Sequence, residues 1–328
     1  MQSTETRTNT TGVLCSGNLV YDTLVKPVHE LTWGGTTMVD AIEYHAGGNG
    51  ASTARALGIL GVPVRLLGTV GDDDQGTFLL KRVQAAGVDI TRIHRIALPT
   101  AATVAIVNPD GERKFFHRIG ASAESLAHGI EFSPELCDGM AHYHMASLFV
   151  LPRLRPYAAD VLAKARAAGL TTSFDTNWDV QGTWMRDLEP CLPHLDFLFM
   201  NEPEAEKITG SSDPRCAATC VLSRGVKTAV LKLGSRGCAI CTHEQEIRCP
   251  AFDVIVQDTT GAGDCFVAGF LAAYLDNASL QDAGQFANAV GALTVQKIGA
   301  VNGVVSKKEA EEWMRTAKLR VYPPTTAS

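Results

Sequence analysis

The sequence predicts an α/β fold: a mainly parallel central sheet with helices on both faces, plus a small β-sheet lid. Short apolar runs alternate with helical segments along most of the 328 residues, the pattern of strands buried on both sides. Hydrophobic residues make up 45% and charged residues 20%, a balance that suits a globular chain able to bury a large core. Two segments, about 19–45 and 100–118, break the alternation. The second carries Asn108-Pro109-Asp110-Gly111, whose residues favour a tight hairpin.

Residues 1–11 are polar and rich in threonine, which predicts a disordered start with no apolar leader. Apolar and β-branched runs predict strands at 13–15, 64–70, 142–146, 171–175, 197–200 and 228–233. Between them, helices are expected at 50–60, 76–86, 155–168, 203–209 and 216–223. The long apolar stretch at 263–275, then 280–296 and 307–318, predicts three closing helices. The unit is expected to span 12–318, followed by a tail at 319–328 that reads as disordered from Val321 on. Ligands of such sheets bind outside the carboxyl ends of the strands.

A net charge of −6 gives no basic footprint for polymeric nucleic acid or an anionic membrane. No apolar run approaches the roughly 20 residues of a membrane span, so a cytoplasmic protein is expected. The nine cysteines are odd in number and scattered, unlike a disulfide framework. Cys238-x-x-Cys241, near His243, raises the question of zinc. The segment reads as a strand, where this spacing sends the thiols to opposite faces, and no second pair completes a ligand set.

The most informative stretch is Asp258-Thr259-Thr260-Gly261-Ala262-Gly263-Asp264, which runs directly into the apolar Cys265–Leu271 segment. A loop of small residues entering a helix aims unpaired amides and the positive end of a helix dipole at one point, where an anion is stabilised. An acid in a first helical turn commonly does no more than complement the dipole. Here, Gly261 and Gly263 each forgo up to about 1 kcal/mol relative to alanine, which argues for close approach of a ligand. A carboxylate beside such an anion cradle suits one task in particular, accepting the proton of a hydroxyl that attacks a phosphoryl group.

Residues 258–274 resemble the C-terminal signature of the ribokinase-like (PfkB-type) carbohydrate kinases, and Gly47-Gly48-Asn49-Gly50-Ala51 through Gly71-Asp72 resembles the first signature. Asn201-Glu202-Pro203-Glu204 and Lys232-Leu233-Gly234-Ser235-Arg236-Gly237 are similar to two further motifs of that family, in the same order. The resemblance covers about residues 12–315 and implies an ATP-dependent kinase. In it Asp264 is the base, and Gly261, Ala262 and Gly263 form the anion hole. Asp22, Gly47, Gly48, Asn49 and Asn177 meet the substrate. Lys232, Gly234, Gly237 and Asn288 border the nucleotide. Asn201 and Glu204 hold Mg²⁺ through water, although the same residues would also serve as a plain helix cap. Asp258 and Thr260 match the K⁺ site of potassium-activated members, whose later serine is Gly303 here. The lid is implied to pair two subunits.

Departures from the family bear on the substrate. Thr176 and Asp179 replace the proline and arginine of an Asp-Pro-Asn-x-Arg stretch, and Asn49 stands where sugar-phosphate kinases carry lysine. A small neutral sugar is therefore expected. Trp33 and Trp178 keep a nucleoside kinase open, and His117 and Arg118 keep open an acidic sugar such as 2-keto-3-deoxygluconate. A non-catalytic sugar or nucleotide sensor is the reading from another class. Cys265, at the same helix start, is expected to have a depressed thiol pKa and to react unless nucleotide is bound. A P-loop is absent, and the glycine pairs lack the third glycine of a dinucleotide fingerprint.

Overall fold

In the computed structural model, which describes residues 12–321, strand β1 (Gly12–Ser16) leads into β2 (Val20–Lys26) and β3 (Ala41–Gly47). Next come α1 (Asn49–Ile59), β4 (Val64–Gly71), α2 (Asp74–Gln84) and β5 (Ile93–Ile96). The hairpin of β6 (Ala102–Val107) and β7 (Arg113–Arg118) turns at the expected Asn-Pro-Asp-Gly. Beyond α3 (Pro134–Cys137) lie β8 (Met140–Met145), α4 (Ala158–Ala167), β9 (Thr171–Asp175), α5 (Met185–Leu188) and β10 (Phe197–Asn201). Then follow α6 (Glu202–Thr209), α7 (Pro214–Leu222) and β11 (Thr228–Lys232). The edge strands β12 (Cys238–Cys241) and β13 (Glu246–Cys249) precede α8 (Ala262–Leu275), α9 (Leu280–Val295) and α10 (Lys307–Thr316).

The large sheet has nine strands in the order β13-β12-β11-β10-β9-β8-β1-β4-β5. Its neighbours are parallel except at β11–β12 and β12–β13. The two irregular segments form a separate four-stranded sheet, β3-β2-β6-β7. Both features of the expected fold class are present.

Strand periodicity divides the core into two layers. Phe197 and Phe199 of β10 face the layer containing α1, α8 and α9, while Leu198 and Met200 face the layer of α4 and α7. Phe270 of α8 meets Phe197 and Phe199 edge-on, with ring centres 5.3 and 5.2 Å apart. Truncating a phenylalanine packed in this way costs about 3–5 kcal/mol. The same periodicity puts Cys238 in one layer and Cys241 in the other, as the strand reading requires. Among the described residues no His, Cys, Asp and Glu cluster could hold a metal.

One sequence expectation shifts. The helix expected from 155 begins with a 3₁₀ turn at Arg155–Tyr157, where Pro156 withholds a backbone donor. Leu319 and Arg320, the first residues of the tail, are tied to the body: Leu319 bridges Phe252 and the Arg320 amide donates to the Ala251 carbonyl. The expected disorder at 1–11 and 322–328 lies outside the described residues. No helix among those described is long and apolar enough to cross a membrane.

The strand order places β1 between β4 and β8, so the chain leaves β1 toward both sides of the sheet. At such a switch point the crevice opens at the carboxyl ends of the strands. The segment after β1, the start of α1 and the start of α8 all converge there.

Candidate active site

Most long helices of this chain begin with a side-chain cap: Asp73 for α2, Asn201 for α6, Ser279 for α9. α8 does not. Its N-cap is Gly261, with φ of 72° and no side-chain hydrogen bond. A side chain at 261 would be strained in this left-handed conformation and would strike the Ala300 carbonyl. The Ala262 amide donates to the Thr259 carbonyl at 3.2 Å, which removes one of the three expected anion-hole residues from that role. The remaining first-turn amides have no intrahelical acceptor and concentrate the dipole's positive end.

Asp264 occupies the third position of this helix and is 8% exposed. Its Oδ1 accepts a hydrogen bond from Asn49 Nδ2 at 2.9 Å, which ties the tips of α8 and α1 together. Burial pushes the carboxyl up to about 6, against the opposing pull of Asn49 and Lys232. A carboxylate with this basicity is suited to taking up a proton near neutral pH.

Two cavities flank this juncture. One, of about 290 Å³, lies between the small sheet and the switch point, and its lining includes Asn18, Asp22, Gly48, Thr103, His117 and Arg113. Burial pushes Asp22 up to about 6, against a hydrogen bond with the Thr103 hydroxyl. Gly47 is needed because a side chain there would collide with the Asp22 carboxylate. The other cavity, of about 340 Å³, lies between β11, α8 and α9 and is lined by Asn201, Lys232, Gly234, Gly237, Gly263 and Asn288, among others. Asp264 lines neither directly. Its chain neighbour Gly263 lines the second, and its partner Asn49 follows Gly48, which lines the first.

Glu204 and Asn201 form a capping box on α6: Asn201 Oδ1 accepts from the Glu204 amide at 2.9 Å, and Glu204 Oε2 accepts from the Asn201 amide at 3.1 Å. Thr176 Oγ1 also donates to Oε2, at 2.6 Å. The helix-capping alternative is thus real. It leaves Glu204 Oε1 without a hydrogen-bond donor among the described residues, so the donor set also fits a hard cation that keeps most of its waters.

Comparison with known proteins agrees with this geometry. The sequence profile of the pfkB family carbohydrate kinases matches residues 11–307. The chain belongs to this family. It is 28% identical over 293 residues to a 2-dehydro-3-deoxygluconokinase of Bacillus subtilis, covering 86% of this chain and 90% of that one. It is 31% identical over 298 residues to an ATP-dependent ribose-1-phosphate kinase of Halopiger xanaduensis, covering 88% and 93%. Among solved structures, a putative ribokinase II from E. coli superposes with a TM-score of 0.83 at 24% identity, covering 93% of this chain and 99% of that one. An Arabidopsis thaliana ribokinase complexed with ribose and ATP superposes with a TM-score of 0.81 at 24% identity, covering 93% and 98%. These likenesses fix the ribokinase-like fold.

Several sequence expectations for this pfkB kinase are corrected by its geometry. Asp258 and Thr260, matched to a K⁺ site, are occupied by the Arg113 guanidinium, which donates to Asp258 Oδ1 at 2.8 Å and Thr260 Oγ1 at 2.7 Å. Burial pushes Asp258 up, but the Gly299 and Thr260 donors and Arg113 outweigh it and hold the carboxyl well below the usual range. Cys265 is fully buried, and burial pushes its thiol up to about 12 rather than down. Helix-tip stabilisation does not survive that desolvation.

Asn177 lines neither cavity; its Nδ2 donates to the Trp178 carbonyl at 3.4 Å. The Asn288 amide group donates to the carbonyls of Cys249 and Pro250, so only its oxygen remains for a nucleotide. Trp33 is fully exposed, and Trp178 packs on Trp184 with ring centres 5.1 Å apart; neither offers a stacking surface inside a cavity. Arg118 is turned to Gln75 and the Thr100 carbonyl. Sequence reasoning missed Asn18, Thr103 and Arg113, which carry no local motif, and gave no role to Asp175, the first residue of the Asp-Thr-Asn-Trp-Asp stretch.

Proposed function

We propose that this pfkB kinase transfers the γ-phosphoryl group of ATP to a primary hydroxyl of a small neutral sugar. The observation that carries this is Asp264: buried, with its pKa raised to about 6, and set beside an uncapped glycine helix tip between two cavities. The first cavity would take the sugar, with Asp22, Asn18, Gly48 and Thr103 meeting hydroxyls; a carboxylate accepting two of them is a strong directional contact. The second would take ATP, its phosphates running along Gly263 toward the tip of α8.

In the reaction the acceptor hydroxyl gives its proton to Asp264, whose Oδ1 is fixed by Asn49. The acceptor oxygen bonds to the γ-phosphorus as the bond to the bridging oxygen of ADP breaks. The helix-tip amides take up charge on the migrating group. Positioning and charge stabilisation do most of the work, because such a transition state is loose. Asn201 and Glu204 would hold Mg²⁺ mainly through water, and the ion would offset charge on the phosphates.

Neutrality of the sugar rests on the charges of the first cavity. Arg113 is committed to Asp258, burial pulls His117 down toward its neutral form, and His45 is bonded to Glu43. Asp22 would oppose an anion as well. The relatives' names supply the second reading, since 2-dehydro-3-deoxygluconate and ribose 1-phosphate are both anionic. The outer face of the small sheet exposes Ile42, Tyr44, Val104 and Phe116, an apolar surface suited to pairing two subunits; sedimentation velocity reading a monomer at micromolar protein would remove that part.

The test is ATP turnover over a panel of neutral sugars, acidic sugars, sugar phosphates and nucleosides. Preference for a neutral hexose or pentose supports the proposal. Preference for an acidic sugar, a sugar phosphate or a nucleoside replaces the substrate, and ligand binding without turnover makes the protein a sensor.

A further inference from the structure

Lysine is almost never buried without a partner, and in this fold one lines the second cavity beside the tip of α8. Lys232 ends β11 and Asp175 ends β9, with β10 between them. Lys232 Nζ donates to Asp175 Oδ1 at 2.5 Å, and their side chains are 13% and 3% exposed. Burial pulls the ammonium down, but Asp175, Glu204 and Asp264 together hold it above the ordinary lysine range. Burial also pushes the Asp175 carboxyl up to about 8, against the opposing pull of Lys232.

Position distinguishes this pair from an ordinary core ion pair. A buried pair is weak evidence for stability, because desolvation offsets most of the attraction. Lys232 lines the second cavity together with Gly263. A β-carbon placed on Gly263 would come within 3.3 Å of Lys232 Nζ, so the missing side chain at 263 is what leaves the ammonium beside the tip of α8. Of its three N–H donors, only the one to Asp175 has an acceptor among the described residues.

We propose that Asp175 is a positioning residue that holds the Lys232 ammonium against the α8 tip, where Lys232 contacts the phosphoryl group in transit and takes up its negative charge. This rests on the phosphotransfer reading above. No bond to either residue forms or breaks; the acceptor's proton still goes to Asp264. Asp175 acts only through the lysine, by fixing one N–H so that the others face the helix tip.

The experiment compares Lys232→Met, Asp175→Asn and the double variant with wild type. ATP and ADP, each with Mg²⁺, are titrated calorimetrically, and turnover is measured with the best acceptor. The double variant removes both buried charges together, whereas each single variant leaves one uncompensated, and thermal melting checks the fold of each. Lys232→Met is expected to weaken ATP about 10- to 100-fold while ADP changes less than about threefold, and to lower kcat roughly 10²–10³-fold. The double variant is expected to be no worse than Lys232→Met, because a residue acting through another adds nothing once that other is gone. Equal weakening of ATP and ADP in the folded double variant would make the pair merely structural and overturn the proposal. A further loss in the double beyond Lys232→Met would overturn the role of Asp175. The ATP-to-ADP comparison needs no acceptor, so a wild type that binds ATP yet phosphorylates nothing would sink the phosphotransfer reading while still deciding this one.

Discussion

Arg113, on the small sheet, bonds Asp258 across 145 residues of sequence at 2.8 Å, and so ties that sheet to the loop that becomes the tip of α8. The same guanidinium reaches Thr260 at 2.7 Å. One side chain thereby lines the first cavity and braces the loop before the helix tip. Arg113→Ala is expected to lower kcat about tenfold or more, since removing one partner leaves a buried carboxylate uncompensated, and Arg113→Lys to restore part of it. Because a guanidinium already holds these oxygens, exchanging NaCl for KCl is expected to leave wild-type turnover unchanged in steady-state assays. Strong activation by KCl would mean that Arg113 yields the place to a cation.

Cys265 gives a chemical test of burial. Its thiol donates to the Ala300 carbonyl at 3.2 Å and has no exposed surface, whereas Cys216 is exposed. Brief treatment with iodoacetamide, read by peptide mass spectrometry, is expected to label Cys216 and spare Cys265, with activity retained. Rapid labelling of Cys265 with loss of activity would contradict the packing of α8.

Asp264 is expected to weaken the fold at the pH where it works. Its pKa rises from 3.8 unfolded to about 6 folded, so the folded state favours the protonated acid. That contribution is fully present below about pH 4 and is lost as pH rises through about 6. A shift of this size corresponds to about 3 kcal/mol at most. Asp264→Asn, which carries no charge, is therefore expected to melt higher than wild type at pH 8, with the gap closing toward pH 4. A gap of the same size at both pH values would place the carboxyl in a solvated environment.

The large sheet was legible because its strands are buried on both faces and read as short unbroken apolar runs such as Phe197-Leu198-Phe199-Met200. The α8 tip was legible because glycines and an acid abut an apolar helix, a purely local pattern. β5 was missed because its four half-exposed edge residues carry no such run. Arg113 and Asp258 lie 145 residues apart, and Asp175 and Lys232 lie 57 apart. No spacing rule links such pairs; the packing of the small sheet on the α8 loop joins the first, and strand order joins the second. Cys265 misled because helix-tip stabilisation of a thiolate was weighed without the desolvation that a tightly packed helix imposes.

The central claim is that Asp264 takes the acceptor's proton beside an anion-binding helix tip, and the direct measurement is kcat of Asp264→Asn set against its affinity for ATP. A fall of roughly 10²–10⁴-fold in kcat, with ATP affinity nearly unchanged, is the predicted result. Turnover equal to wild type in the folded variant would contradict the account.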